Sequence, residues 1–206
     1  MNRRTFVSAG VGLALTATVP RQPHAEEKQT RGPVIVEAGR RVDAPDAGVT
    51  RFPARNVPEV RKRINQVLRK EMPVAIVSSA ACGADLLLLD AAGRMHVPRY
   101  IFLPSDTEDF RKSSVTDRPG DWGEIYTNVL QGSTVEVLKL PEGQEGYLET
   151  NLKLLDQAQV QAKLKRTNVH ALVIWNQESR GSDDVTAHFL EQAKRRDIPI
   201  IEVSTL

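Results

Sequence analysis

PVAIVSSAACGADLLLLDAAGR, residues 73–94, decides the fold of this 206-residue chain. Residues 73–77 are a short apolar run rich in β-branched side chains, bounded by Pro73 on one side and Ser78, Ser79 and Gly83 on the other, which predicts a buried strand. From Ala84 the residues become good helix formers, four consecutive leucines among them, so a helix is expected from about Gly83 to about Gly93. The small-residue turn SSAACG then joins a strand to a helix N-terminus, where free N–H groups and the helix dipole favour an anion. Small side chains at Ala80, Ala81 and Gly83 let a phosphate or ribose come close to the backbone. A tight turn that only packs against its neighbours has the same composition.

The same alternation extends outward in both directions. Upstream, VIVEAG (34–39) reads as a first strand, followed by Gly39-Arg40-Arg41, Asp43 and a loop containing Pro45, Gly48 and Pro53. A helix then begins at Asn56, with Glu59 three residues on as a capping box and Pro58 in the first turn. Val60, Ile64, Val67 and Leu68 share its inner face. Downstream, RYIFL (99–103) is a third strand, and SDTEDFRKSSV is a short helix or turn. A helix over about 121–130, a strand at 134–140 and an amphipathic helix over 146–166 come next. VHALVIW (169–175) is apolar almost throughout, as in a central strand covered on both faces. A helix capped by Ser182 and a last strand at 198–203 follow, with Pro199 arguing for an edge. Strands alternating with helices on continuous apolar runs imply a Rossmann-like α/β fold, a mainly parallel sheet of about six strands in three α/β/α layers.

The first 25 residues read differently. Arg3 and Arg4 precede an apolar stretch from Phe6 to Val19 and end at Ala25, the layout of an export signal of twin-arginine type. The stretch is too short for a stable membrane span. Residues 1–25 are thus expected to be a signal, 26–32 a linker and 33–206 one domain, in a periplasmic or secreted protein. If the signal reading fails, the expected location is cytoplasmic. Cleavage after Ala25 would remove three arginines and no acid, taking the net charge from +2 to −1. A near-neutral domain lacks the dense basic footprint that backbone-driven nucleic-acid binding needs, so nucleic acid is not an expected partner. Cys82 is the only cysteine, which excludes an intrachain disulfide, and the histidines show no zinc-type spacing, so no metal is expected.

Ligands of such sheets sit at the carboxyl ends of the strands, where the strand order switches. Three segments should converge there: 39–43, 78–85 and 176–186. Other chemistry is thinner. Cys82 near a helix N-terminus could be an activated thiol or a small buried one. Asp43 and Asp46 could serve acid–base chemistry or shape their loop. Trp122, Trp175 and His188 could contact a ligand or belong to the packing.

AGRRVDAP, VSSAACGADLLLLDAA, IFLPSDTEDFRKSSV, GDW and ALVIWNQ, in this order, resemble the SLOG superfamily of nucleotide-sensing and nucleotide-processing domains (LOG/DprA-like). The likeness spans roughly residues 34–203. It implies a nucleotide pocket lined by Gly39, Arg40, Ser79, Ala80, Gly83 and Asp85, extended by Gly181, Ser182 and Thr186 at the late helix. LOG enzymes carry a PGGxGTxxE element there, whose Glu serves N-glycosidic cleavage. This chain has RGSDDVTAHFLEQ instead: the glycine pair is missing, Phe189 stands in place of the Glu, and Asp183 and Asp184 would repel a phosphate.

The leading expectation is an exported module that binds or senses a nucleotide-derived ligand, with no known cofactor and no complete hydrolase site. One alternative is an N-glycoside hydrolase or transferase acting on nucleosides or nucleotides through Asp43, Asp85 or Glu191. Another is a protein-interaction domain with a vestigial pocket. Ligand identity, strand order and oligomeric state are not legible at this level.

Overall fold

A computed structural model of the chain describes Met1 and residues 32–206. The expected export signal and nearly all of the linker lie outside the described residues. Strands β1 (Val34–Gly39), β2 (Ala75–Ser78), β3 (Arg99–Leu103), β4 (Thr134–Val137), β5 (Val169–Trp175) and β6 (Ile200–Ser204) form one sheet in the order β4-β3-β2-β1-β5-β6. Every pairing is parallel, giving a Rossmann-like α/β fold. The chain moves outward from β1 to β4, crosses back, and continues from β5 to β6. The order therefore switches between β1 and β5, where a crevice opens at the carboxyl ends.

Helices α1 (Val57–Glu71), α2 (Ala84–Arg94) and α4 (Trp122–Gln131) cover one face, joined by the short α3 (Thr107–Ser114). Helices α5 (Gln144–Lys165) and α6 (Val185–Arg195) cover the other. Leu86, Leu87, Leu88 and Leu89 are all fully buried. Successive helical residues point about 100° apart, so four in a row face every side of the helix. α2 can bury them all because the sheet lies beneath it and α1 and α4 flank it. Burying each leucine contributes roughly 1.5–3 kcal/mol, which makes α2 the anchor of this layer.

β6 is an edge strand, as Pro199 suggested; the Pro199 carbonyl accepts the Ala171 N–H at 2.8 Å just before the strand begins. Two expected caps differ. A 3-10 turn, Ala54–Asn56, runs straight into α1, so Asn56 is already helical and its side chain makes no cap. Its Nδ2 instead donates to the Thr205 carbonyl at 2.9 Å. α6 is capped not by Ser182 but by Asp184, whose side chain accepts from the N–H of Thr186 and Ala187. An aspartate in extended backbone is as good a cap as serine, and its charge also suits the dipole.

Candidate functional site

A cavity of about 410 Å³ opens where the strand order switches. The three converging segments each contribute to it: residues 39–43 from the end of β1, Ser79, Ala81 and Asp85 from the β2–α2 turn, and Arg180 and Thr186 from around the start of α6. Two further walls come from α3, through Phe110 and Ser114, and from the first turns of α5, through Tyr147, Thr150 and Asn151. Ser114 Oγ and Tyr147 Oη are 3.0 Å apart, so the helices of the two faces meet over the sheet edge.

The floor is acidic. Glu37, in β1, is fully withdrawn from water and receives the Ser78 hydroxyl on Oε2 at 2.7 Å. Its Oε1 is buried with no hydrogen-bond partner. Asp85, in the first turn of α2, is 6% exposed and accepts the Ala81 N–H at 3.1 Å. Burial pushes the Glu37 carboxyl well above its ordinary range, and the neighbouring Asp85 charge raises it further. Burial likewise pushes Asp85 up to about 7, against the opposing pull of its backbone N–H partners. Two buried acids side by side favour the protonated form near neutral pH and make this floor a candidate for acid–base work.

Arg40 is fully engaged. Its Nη1 and Nη2 each donate to one oxygen of Asp184 at 2.7 Å, Nη2 also reaches the Glu178 carbonyl at 2.7 Å, and Nε reaches Asn176 Oδ1 at 3.1 Å. The guanidinium also stands 5.6 Å from the ring centre of Trp175. Asp184 in turn accepts the N–H of Arg180 (2.8 Å), Thr186 (3.0 Å) and Ala187 (3.1 Å). Desolvation works to raise this carboxyl, but Arg40 and those N–H groups outweigh it and hold Asp184 down at about 2. The carboxylate that would repel a phosphate is thus neutralised by Arg40 and itself fills the anion position at the start of α6.

The mouth is basic. Arg41, Arg51, Arg118 and Arg180 line the cavity too, and all four are more exposed than Glu37 and Asp85. Arg41 and Arg118 both pair with Asp117; Arg41 also interacts with the Cys82 thiol, and its buried Nε has no oxygen acceptor.

Of the residues singled out from sequence, Gly39, Arg40, Asp43, Ser79, Asp85 and Thr186 line the cavity, while Ala80, Gly83, Gly181, Ser182 and Glu191 do not. Asp43 is occupied, accepting the N–H of Arg51 and Phe52 at 3.0 Å each, so it closes its own loop. Ala80 is packed in the core, and Gly83 supports the turn from behind with φ of 99°. Gly181 and Ser182 are exposed. Glu191 is on the outer face of α6, bonded to Arg195 at 2.5 Å. Three N–H groups of the β2–α2 turn region are already used: Ala81 by Asp85, Cys82 by the Ser114 carbonyl and Ala84 by the Arg40 carbonyl. The Cys82 thiol is buried, and burial pushes it up, the opposite of activation. Trp122 and Trp175 are core residues outside the lining, and His188 sits behind the wall, its Nδ1 3.4 Å from Asn151.

Sequence reading did not single out Glu37, Arg51 or Arg118, whereas Arg41 and Arg180 fall within the segments 39–43 and 176–186 expected to converge. A lone acid inside the apolar strand VIVEAG was the available signal for Glu37, since a charged group is rarely buried without a role. Nothing local marks Arg51 or Arg118, which reach the cavity from two separate loops.

No protein-family model matches the chain, and no curated protein matches it. Among solved structures, DNA processing protein A (DprA) from Streptococcus pneumoniae superposes with a TM-score of 0.41 at 12% identity, over 84% of this chain and 59% of that one. The chain therefore spans less than two thirds of that protein's length. Among the described residues no helix is long and apolar enough to cross a membrane.

Proposed function

We propose that this domain binds a nucleotide or nucleotide-derived ligand in the cavity at the β1–β5 switch, acting as a sensor or binding module of an exported protein. The observation that carries the reading is an open cavity of about 410 Å³ with an acidic floor and an arginine mouth, at the position where such sheets take ligands. The SLOG-like sequence elements point the same way. Hydrolysis of the LOG kind has no support at α6. Phe189, standing where that pattern has Glu, is fully buried in the core, and Glu191 faces solvent in a pair with Arg195. A vestigial pocket would be filled by its own side chains, and this one is not.

One observation favours a second reading, an N-glycoside hydrolase or transferase. Asp85, raised to about 7 beside Glu37, is suited to protonate a departing base. A single experiment separates the two. Purified protein is screened by thermal shift against nucleoside monophosphates, nucleosides and ADP-ribose, and the same mixtures are analysed chromatographically for free base. Stabilisation without base release supports the binding module, since saturation at 100 times the Kd adds about 2.7 kcal/mol. Base release abolished by Asp85→Asn supports the enzyme. No stabilisation and no turnover would refute both.

A further inference from the structure

Resting on the nucleotide reading, we propose that the nucleotide enters base first, with the nucleobase on the Glu37–Asp85 floor and the phosphate outward among the mouth arginines. In the usual arrangement of this fold class the phosphate sits deepest, on the N–H groups of a helix start. Here the helix starts that follow β2 and β5 are occupied by the chain's own carboxylates. Asp85 takes the Ala81 N–H at α2, and Asp184 takes the Thr186 and Ala187 N–H at α6 and holds Arg40 besides. An inward phosphate would have to displace these carboxylates and face Glu37.

The unsatisfied polar atoms point to the opposite orientation. Glu37 Oε1 is buried without a partner and lies 2.9 Å from where a Cβ on Gly39 would stand, directly under a lining residue. A carboxyl there satisfies, and is satisfied by, the N–H edge of a base. Arg41, also in the lining but part-exposed, carries a buried Nε with no oxygen acceptor, its guanidinium lying beside the Cys82 thiol. A phosphate oxygen supplies one.

The test uses three probes, guanosine 5′-monophosphate, guanosine and ribose 5-phosphate, titrated by calorimetry into the wild type and two variants checked for folding by circular dichroism. Glu37→Leu is expected to weaken the monophosphate and guanosine at least tenfold and to leave ribose 5-phosphate unchanged. Arg41→Gln is expected to weaken the monophosphate and ribose 5-phosphate at least fivefold and to leave guanosine unchanged. If Glu37→Leu fails to fold, the Arg41→Gln arm decides alone. Phosphate-first binding predicts the opposite sign, with Glu37→Leu tightening both phosphorylated probes. That result, or equal effects on all three probes, overturns the orientation while leaving the nucleotide reading intact. If the wild type binds none of the probes, the nucleotide reading falls as well.

Discussion

Replacing Asp85 by Asn should stabilise the protein, and by an amount that grows with pH. The unfolded chain releases the Asp proton near pH 3.9, whereas the folded chain holds it to about 7. Between those values unfolding releases a proton, so this group makes stability fall as pH rises from about 4 to about 7, and the loss is complete above 7. About three pKa units at 1.36 kcal/mol each set a ceiling of about 4 kcal/mol for the gain at pH 8. Asn keeps an oxygen for the Ala81 N–H, 3.1 Å away in the wild type, so the start of α2 should survive the change. Glu37 stays buried and keeps its own pH dependence, easing only in the repulsion from Asp85; Ser78 and Arg41 are unchanged. The assay is urea unfolding of wild type and variant at pH 5 and pH 8, because groups shared by both, His188 among them, cancel in the difference. At pH 5 about one of those three units is already lost, so the variant should be about 1.5 kcal/mol more stable than the wild type there and about 2–4 kcal/mol more stable at pH 8, with the larger gain at pH 8. A difference that does not change with pH, or a variant less stable at pH 8, would refute the strained acidic floor. Such a floor lowers stability above neutral pH, the pattern expected where a site is kept at a cost in stability.

Arg40→Met should cost about 3–5 kcal/mol in urea unfolding, because it leaves Asp184 buried without its bidentate partner; adding Asp184→Asn should recover much of the loss. Gly83→Val should lower the melting temperature as well as the affinity for any ligand of this cavity, since φ is 99° and a Cβ would come within 2.7 Å of the Arg40 carbonyl; an unchanged melting temperature would contradict the geometry of the turn. Arg3→Lys with Arg4→Lys should leave full-length protein in the cytoplasm, as read by cell fractionation and immunoblotting; normal export of the double variant would remove the twin-arginine reading.

What could be read in advance depended on how local the cause is. VHALVIW declares a central strand because seven residues with almost no polar member have only one stable place in an α/β sheet. The four leucines of α2 similarly require a helix with neighbours on three sides. Asn56 and Ser182 had the right chemistry for caps, but each was decided by a remote or neighbouring competitor. Thr205, 149 residues away, claims the Asn56 amide, and Asp184 takes the α6 cap because Arg40, 144 residues distant, stabilises its charge. The strand order depends on which edge each crossover returns to, and no short stretch encodes that. Asp183 and Asp184 looked alike in sequence as obstacles to a phosphate. In the fold Asp183 is exposed while Asp184 is buried and neutralised, a distinction only the Arg40 partnership creates.

The central claim, that the cavity at the β1–β5 switch is a nucleotide site, is tested most directly by a crystal structure of the protein soaked with guanosine 5′-monophosphate. The account predicts density for one nucleotide inside the cavity, its base edge within hydrogen-bond distance of Glu37 or Asp85 and its phosphate against Arg41 or Arg118. A cavity that stays empty at saturating nucleotide, or a nucleotide bound only elsewhere on the surface, would contradict it.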